Sequence, residues 1–112
     1  MQKEKQRKNN EKVVGVITLL KVLPNSFEIL FLAVNPNHHR RGTGRKLINY
    51  VEEVAKNEGA KWLFVKTLAT SHPDPHYALT RKFYYLLGFS GLLESDTFWG
   101  KENPAIVLIK SI

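Results

Sequence analysis

The sequence predicts an α/β (α+β) fold, a mixed sheet flanked by helices, on three observations. Residues 13–22 and 27–34 are two runs rich in β-branched and apolar residues, and Pro24-Asn25-Ser26 between them is turn chemistry. After Gly42 the apolar positions Leu47, Ile48, Val51, Val54 and Ala55 recur at spacings of three and four, with Glu52, Glu53, Lys56 and Asn57 on the other faces. Residues 62–68 then return to a strand pattern, so that strand, helix and strand follow one another as in a right-handed crossover.

Taken in chain order, residues 1–12 are expected to be a polar strand or tail, turned at Asn9-Asn10 into the run at 13–22, which contains Gly15. That run should pair antiparallel with 27–34. Beyond Glu28 the second run is apolar on both faces, which fits a central strand covered on each side. Gly42 opens the helix and Gly59 stops it. Residues 71–75 hold two prolines and read as a loop; a second helix is expected over 76–87, ending at Gly88. A short strand within 92–99, a turn over 99–104 with Trp99 packed inward, and a last strand over 105–109 complete the chain, which has no internal repeat and no low-complexity segment.

At 112 residues the chain is expected to form one domain, large enough to bury roughly two thirds of its unfolded surface. A hydrophobic fraction of 43% and a charged fraction of 24% suit a globular protein. The absence of cysteine excludes disulfides, a cysteine nucleophile and thiolate metal sites, and is compatible with a reducing cytoplasm. The apolar runs are too short to span a bilayer and the polar start does not read as a signal peptide, so a soluble, cytoplasmic protein without a membrane partner is expected.

A net charge of +7 favours an anionic partner. Lys3, Lys5, Arg7, Lys8 and Lys12 read as a solvated edge, whereas Arg40, Arg41, Arg45 and Lys46 cluster where the run at 27–34 breaks at Asn35-Pro36 and passes through His38-His39-Arg40-Arg41-Gly42-Thr43-Gly44-Arg45 into a helix. Amides at a helix N-terminus lack intrahelical partners, and glycines let a phosphate approach them, so this segment suits a polyanionic cofactor. Alone, such a turn is as readily an ordinary strand-to-helix connection with solvated arginines. A second segment, Thr80-Arg81-Lys82-Phe83-Tyr84-Tyr85-Leu86-Leu87-Gly88-Phe89, lies about forty residues on.

With both segments the chain resembles the GNAT superfamily of acetyl-CoA-dependent N-acetyltransferases, whose pyrophosphate loop reads Q/R-x-x-G-x-G/A and whose later helix often ends in F-Y-x-x-x-G-F. Gly42 and Gly44 fall on the loop glycines; Phe83, Tyr84, Gly88 and Phe89 fall on the second motif. His39 stands where the family usually has Gln or Arg. The resemblance covers roughly residues 13–112 and implies a mixed, mainly antiparallel sheet with a shortened N-terminal part. Relatives usually place a strand and one or two helices before the segment that begins here at Val13, so the acceptor site is either unusually open or closed by a second subunit. An exposed sheet edge would favour such a homodimer.

The resemblance also implies site residues. The backbone of the turn, with His39, Arg40, Arg41, Gly42, Thr43, Gly44 and Arg45, would hold the pyrophosphate of acetyl-CoA, the co-substrate, while main-chain groups of Leu32, Ala33 and Val34 pair with the pantetheine arm. Tyr84 would donate a proton to the departing thiolate; the alternative is a core tyrosine. Glu28 would accept the amine proton, often through water, and burial beside Leu30 and Leu32 would make it a better acceptor; the alternative is a merely exposed strand-start glutamate. Tyr85 is expected to pack. His72, Asp74 and His76 form too thin a ligand set for a metal and read instead as a surface loop near the acceptor opening. No metal is expected there or at the adjacent His38 and His39.

These expectations amount to an N-acetyltransferase moving acetyl from acetyl-CoA to a primary amine, on a small molecule or a protein, by direct attack in a ternary complex. No covalent intermediate is expected, because cysteine is absent and no Ser-His-Asp pattern is apparent. The main rival is a non-catalytic acyl-CoA-binding module. A small basic nucleic-acid-binding domain is the third reading; Tyr84, Tyr85, Phe89 and Trp99 could stack bases, but their apolar surroundings read as core.

Overall fold

The computed structural model describes residues 2–9, 12–39 and 41–112. Asn10 of the expected Asn9-Asn10 turn, and Arg40 of the glycine turn, lie outside the described residues. The elements are β1 (Gln2–Asn9), β2 (Lys12–Leu23), β3 (Ser26–Val34), α1 (Thr43–Asn57), β4 (Trp62–Leu68), α2 (Pro75–Leu86), β5 (Ser90–Ser95) and β6 (Ala105–Ser111). The fold class is α/β with a six-stranded, mainly antiparallel sheet and two helices. Two compact units divide the chain, the described residues up to Leu63 together with Ile112, and Phe64–Ser111.

In the first unit β1 pairs antiparallel with β2, and β2 with β3. The apolar stripe of α1 buries Leu47, Ile48, Val51 and Ala55, and the sheet buries Ile17, Leu19, Phe27 and Ile29, each exposed by 2% or less. Full burial of such a side chain is worth about 1.5–3 kcal/mol, so this stripe is what fixes α1 on the strands. Gly15 explains how closely the helix approaches. A Cβ built on it would lie 3.0 Å from both Leu47 Cδ1 and Thr43 Cγ2, so the opening turn of α1 sits where a side chain on β2 would be. Gly15→Val should therefore destabilise the protein by about 1–3 kcal/mol, read as a lower urea midpoint with an unchanged slope.

The register shifts twice where it matters for the site. Thr18 faces Phe31 and Leu19 faces Ile29, so Leu30 is an extra residue on β3. Such a bulge bends its strand and breaks the two-residue alternation. The consequence corrects the expectation of a strand covered on both faces: Leu30 is 45% and Phe31 55% exposed, in succession. The second shift sets Arg7 opposite Gly15 but Lys8 opposite Val13, leaving Val14 as the extra residue on β2.

In the second unit β5 pairs antiparallel with β6. Asp74 caps α2 by accepting from the His76 amide at 2.9 Å, with Pro75 opening the helix. Only a narrow stripe of α2 is buried, Arg81 and Tyr84. Tyr85 is 45% exposed rather than packed, because one step round a helix turns a side chain about 100° away from its inward-facing neighbour. β5 begins at Ser90, two residues before the expected stretch, and Trp99 is 46% exposed rather than packed. It sits beside Gly100, φ +92°, in the turn before β6, and turn backbone stays at the surface where water can satisfy it.

Candidate active site

The strand-turn-helix segment is built by local bonds. Asn35 extends the β2–β3 pairing through its amide to the Val14 carbonyl at 2.7 Å, and its side chain accepts from the Asn37 amide at 3.0 Å. One 3-10 turn, Pro36–His38, follows. His39 then folds back: its amide donates to the Pro36 carbonyl at 3.2 Å, and its Nε2 lies 2.9 Å from the Val34 carbonyl. The side chain that replaces the usual Gln or Arg thus braces the turn against the end of β3.

Gly42 is the N-cap of α1, with φ +79°, a left-handed conformation that a Cβ would strain. The first helical bond of α1 runs from the Lys46 amide to the Gly42 carbonyl at 3.0 Å. Among the described residues, the amides of Thr43, Gly44 and Arg45 have no acceptor, no side chain caps the helix, and no acidic residue occupies its first turn. Arg41, Arg45 and Lys46 add positive charge at the same end. Donors without acceptors among the described residues, the positive end of the helix dipole and cations together give this end the chemistry that suits an anion.

Glu28 lies on β3 in the first unit and is buried, 7% exposed, which removes the exposed alternative. Tyr84 belongs to the second unit, on α2, and is 4% exposed. Its ring meets Phe83 and Phe89 edge-to-face, with centroids 5.2 and 5.3 Å apart. Burial pushes its phenol well above the ordinary value, so the hydroxyl keeps its proton. Among the described residues nothing hydrogen-bonds that hydroxyl. The packing expected of a core tyrosine and the open hydroxyl expected of a donor therefore occur together.

The histidine loop has its own structural roles. His72 Nδ1 accepts from the Asp74 amide at 3.3 Å, Asp74 caps α2, and both His72 and His76 stand edge-on to Tyr77.

Residues 6–89 match the acetyltransferase (GNAT) family. The chain belongs to that family. A 45-residue stretch is 44% identical to amino-acid acetyltransferase from Pseudomonas aeruginosa, covering 40% of this chain and 10% of that protein, so the chain spans about a tenth of the length of the curated relatives it matches. Among solved structures, a GNAT acetyltransferase from Desulfovibrio desulfuricans superposes with a TM-score of 0.85 at 21% identity, over 98% of this chain and 69% of the other. A GNAT acetyltransferase from Elizabethkingia anophelis, with acetyl-CoA bound, gives 0.80 at 22% identity, over 96% and 74%. At these identities the likeness is one of fold.

The GNAT chain also contains engaged cations that composition hides. Arg81 is 6% exposed, and its Nη1 donates to the Leu68 carbonyl at 2.6 Å, tying α2 to the end of β4 one turn before Tyr84. Lys3 and Lys5 are not merely solvated: Lys3 pairs with Glu58 at 3.3 Å, and Lys5 sits 4.9 Å from the centroid of the Tyr50 ring. No sequence signal separates these from the other cations of β1; the pairing register does.

Proposed function

We propose that this GNAT protein transfers an acetyl group from acetyl-CoA to a primary amine by direct attack within a ternary complex. The observation that carries the reading is the set of three amides, Thr43 to Arg45, without acceptors among the described residues at a helix end flanked by arginines and lysine. That donor set fits a diphosphate: a charge-assisted hydrogen bond contributes on the order of 1.5–3 kcal/mol, so a few of them anchor a coenzyme. When bound, the thioester supplies an acetyl carbonyl already activated towards an amine.

The chain's own residues do the rest. Main-chain groups of Leu32 and Ala33 line up the pantetheine arm; the Val34 carbonyl, engaged by His39, contributes through the shape of the strand end. Glu28 accepts the amine proton, directly or through water, as the new N–C bond forms. Tyr84 presents its Oη proton to the sulfur as the C–S bond breaks. Holding the two reactants in register supplies the largest share of the rate. The acceptor is an amine of a small molecule or of a protein.

Acetyl-CoA at a hundredfold excess over its Kd should stabilise the protein by about 2.7 kcal/mol, read as a rise in Tm, and a panel of amines should release free CoA. Stabilisation without release on any amine would replace the enzyme reading with that of an acyl-CoA-binding module. The absence of both would reject acyl-CoA altogether.

A further inference from the structure

The pairing of β1 with β2 places a pocket beside the glycine turn that reaches residues the diphosphate reading does not use, Arg7 and Lys8. It has a volume of about 160 Å3 and lies wholly within the first unit, between the end of β1 and the start of α1. Arg7 and Lys8 line it from β1, Val14 from β2, and Arg41, Thr43 and Lys46 from the turn and helix. Consecutive residues of a regular strand point to opposite faces, so Arg7 and Lys8 would not ordinarily line one pocket. Both nonetheless line it, at the point where the register shifts and β2 carries its extra residue, Val14.

The charges here differ from those elsewhere on the same strand. Lys3 and Lys5 are each engaged by α1, through Glu58 and Tyr50, whereas among the described residues Arg7, Lys8, Arg41 and Lys46 have neither an ion pair nor a ring partner. No acidic side chain lines the pocket among those residues. Thr43 is 7% exposed and lines it too, and among the described residues its hydroxyl has no hydrogen-bond partner. Four cations from two directions and the unpartnered hydroxyl of a mostly buried threonine converge on a space several times the roughly 30 Å3 share of a water molecule. They leave one thing missing, a compact dianion.

We propose that this pocket is a phosphate-monoester subsite, which in the acyl-CoA complex takes the 3′-phosphate of the coenzyme's ribose. The assignment rests on the acyl-CoA reading above. Arg41 and Thr43 belong both to this pocket and to the turn that faces the diphosphate, so a ligand carrying a diphosphate and a monoester on one ribose can engage both. Arg7 and Lys8 then select the complete coenzyme, although they lie on a strand that contributes nothing to the glycine turn.

The test is calorimetric titration of the unchanged protein and of an Arg7→Gln/Lys8→Gln variant with CoA, 3′-dephospho-CoA and inorganic phosphate, both side chains being exposed so that the variant folds. The unchanged protein should bind CoA about tenfold or more tightly than 3′-dephospho-CoA, given charge-assisted bonds to a phosphate. The variant should lose that preference with its 3′-dephospho-CoA affinity unchanged. Equal affinities in the unchanged protein, or a preference that survives in the variant, would overturn the coenzyme assignment while leaving acyl-CoA binding intact. If inorganic phosphate binds the unchanged protein but not the variant and no coenzyme preference exists, the pocket is a monoester site for free phosphate. Binding of neither coenzyme would remove the acyl-CoA reading and this assignment together.

Discussion

Tyr84→Phe should lower kcat by about two to four orders of magnitude, the usual worth of a positioned acid, while acetyl-CoA affinity stays close to that of the unchanged protein. The substitution removes one oxygen and keeps the ring, so the edge contacts with Phe83 and Phe89 persist and the fold should not change. Steady-state kinetics beside calorimetric Kd values separate the two effects; unchanged turnover removes Tyr84 from the mechanism. The pH profile adds a second reading. Burial favours the neutral phenol, so its ionisation moves up and the proton is retained through neutral and mildly alkaline pH. Turnover should then show no alkaline fall near pH 8–9 that depends on Tyr84. A limb in that range that disappears in Tyr84→Phe would show a phenol ionising below its ordinary value, contrary to its burial.

Glu28→Gln should lower kcat by about a hundredfold or more at neutral pH, again with the coenzyme affinity retained. The amide is the same size and shape as the carboxylate, so the strand entry is preserved, but the proton acceptor is gone. A primary amine such as a lysine side chain, with an ordinary pKa of about 10.4, arrives mostly protonated at pH 7. Raising the pH should therefore narrow the gap between variant and unchanged protein, as more of the amine arrives already neutral. Equal rates at pH 7 would assign proton removal to water and backbone carbonyls instead.

The two candidates differ in how far the sequence alone supports them. Tyr84 is picked out by a local pattern, Phe83 and Tyr84 five and four positions before Gly88, and the structure adds its burial and the open hydroxyl. Glu28 has no such pattern; a glutamate at the start of a strand is usually exposed, and its burial follows from long-range packing around β3. The same contrast runs through the misreadings. Leu30 and Phe31 look like buried strand residues because alternation is a local rule, and the bulge that exposes them exists only in the pairing of β3 with β2. Tyr85 and Trp99 carry core composition yet lie at the surface, one turned outward by helix geometry and the other by its turn.

By itself the sequence determined the order and kind of the elements, the glycine turn that opens α1 and the glycines that stop both helices, because these follow from side-chain periodicity and backbone freedom within a few residues. Only the tertiary structure decided why Gly15 must lack a side chain, why Arg81 is buried, and why Arg7 and Lys8 line a basic pocket while Lys3 and Lys5 do not. Each of those depends on a contact with a distant part of the chain, through strand register or helix approach, and such contacts leave no periodic trace in the residues that make them.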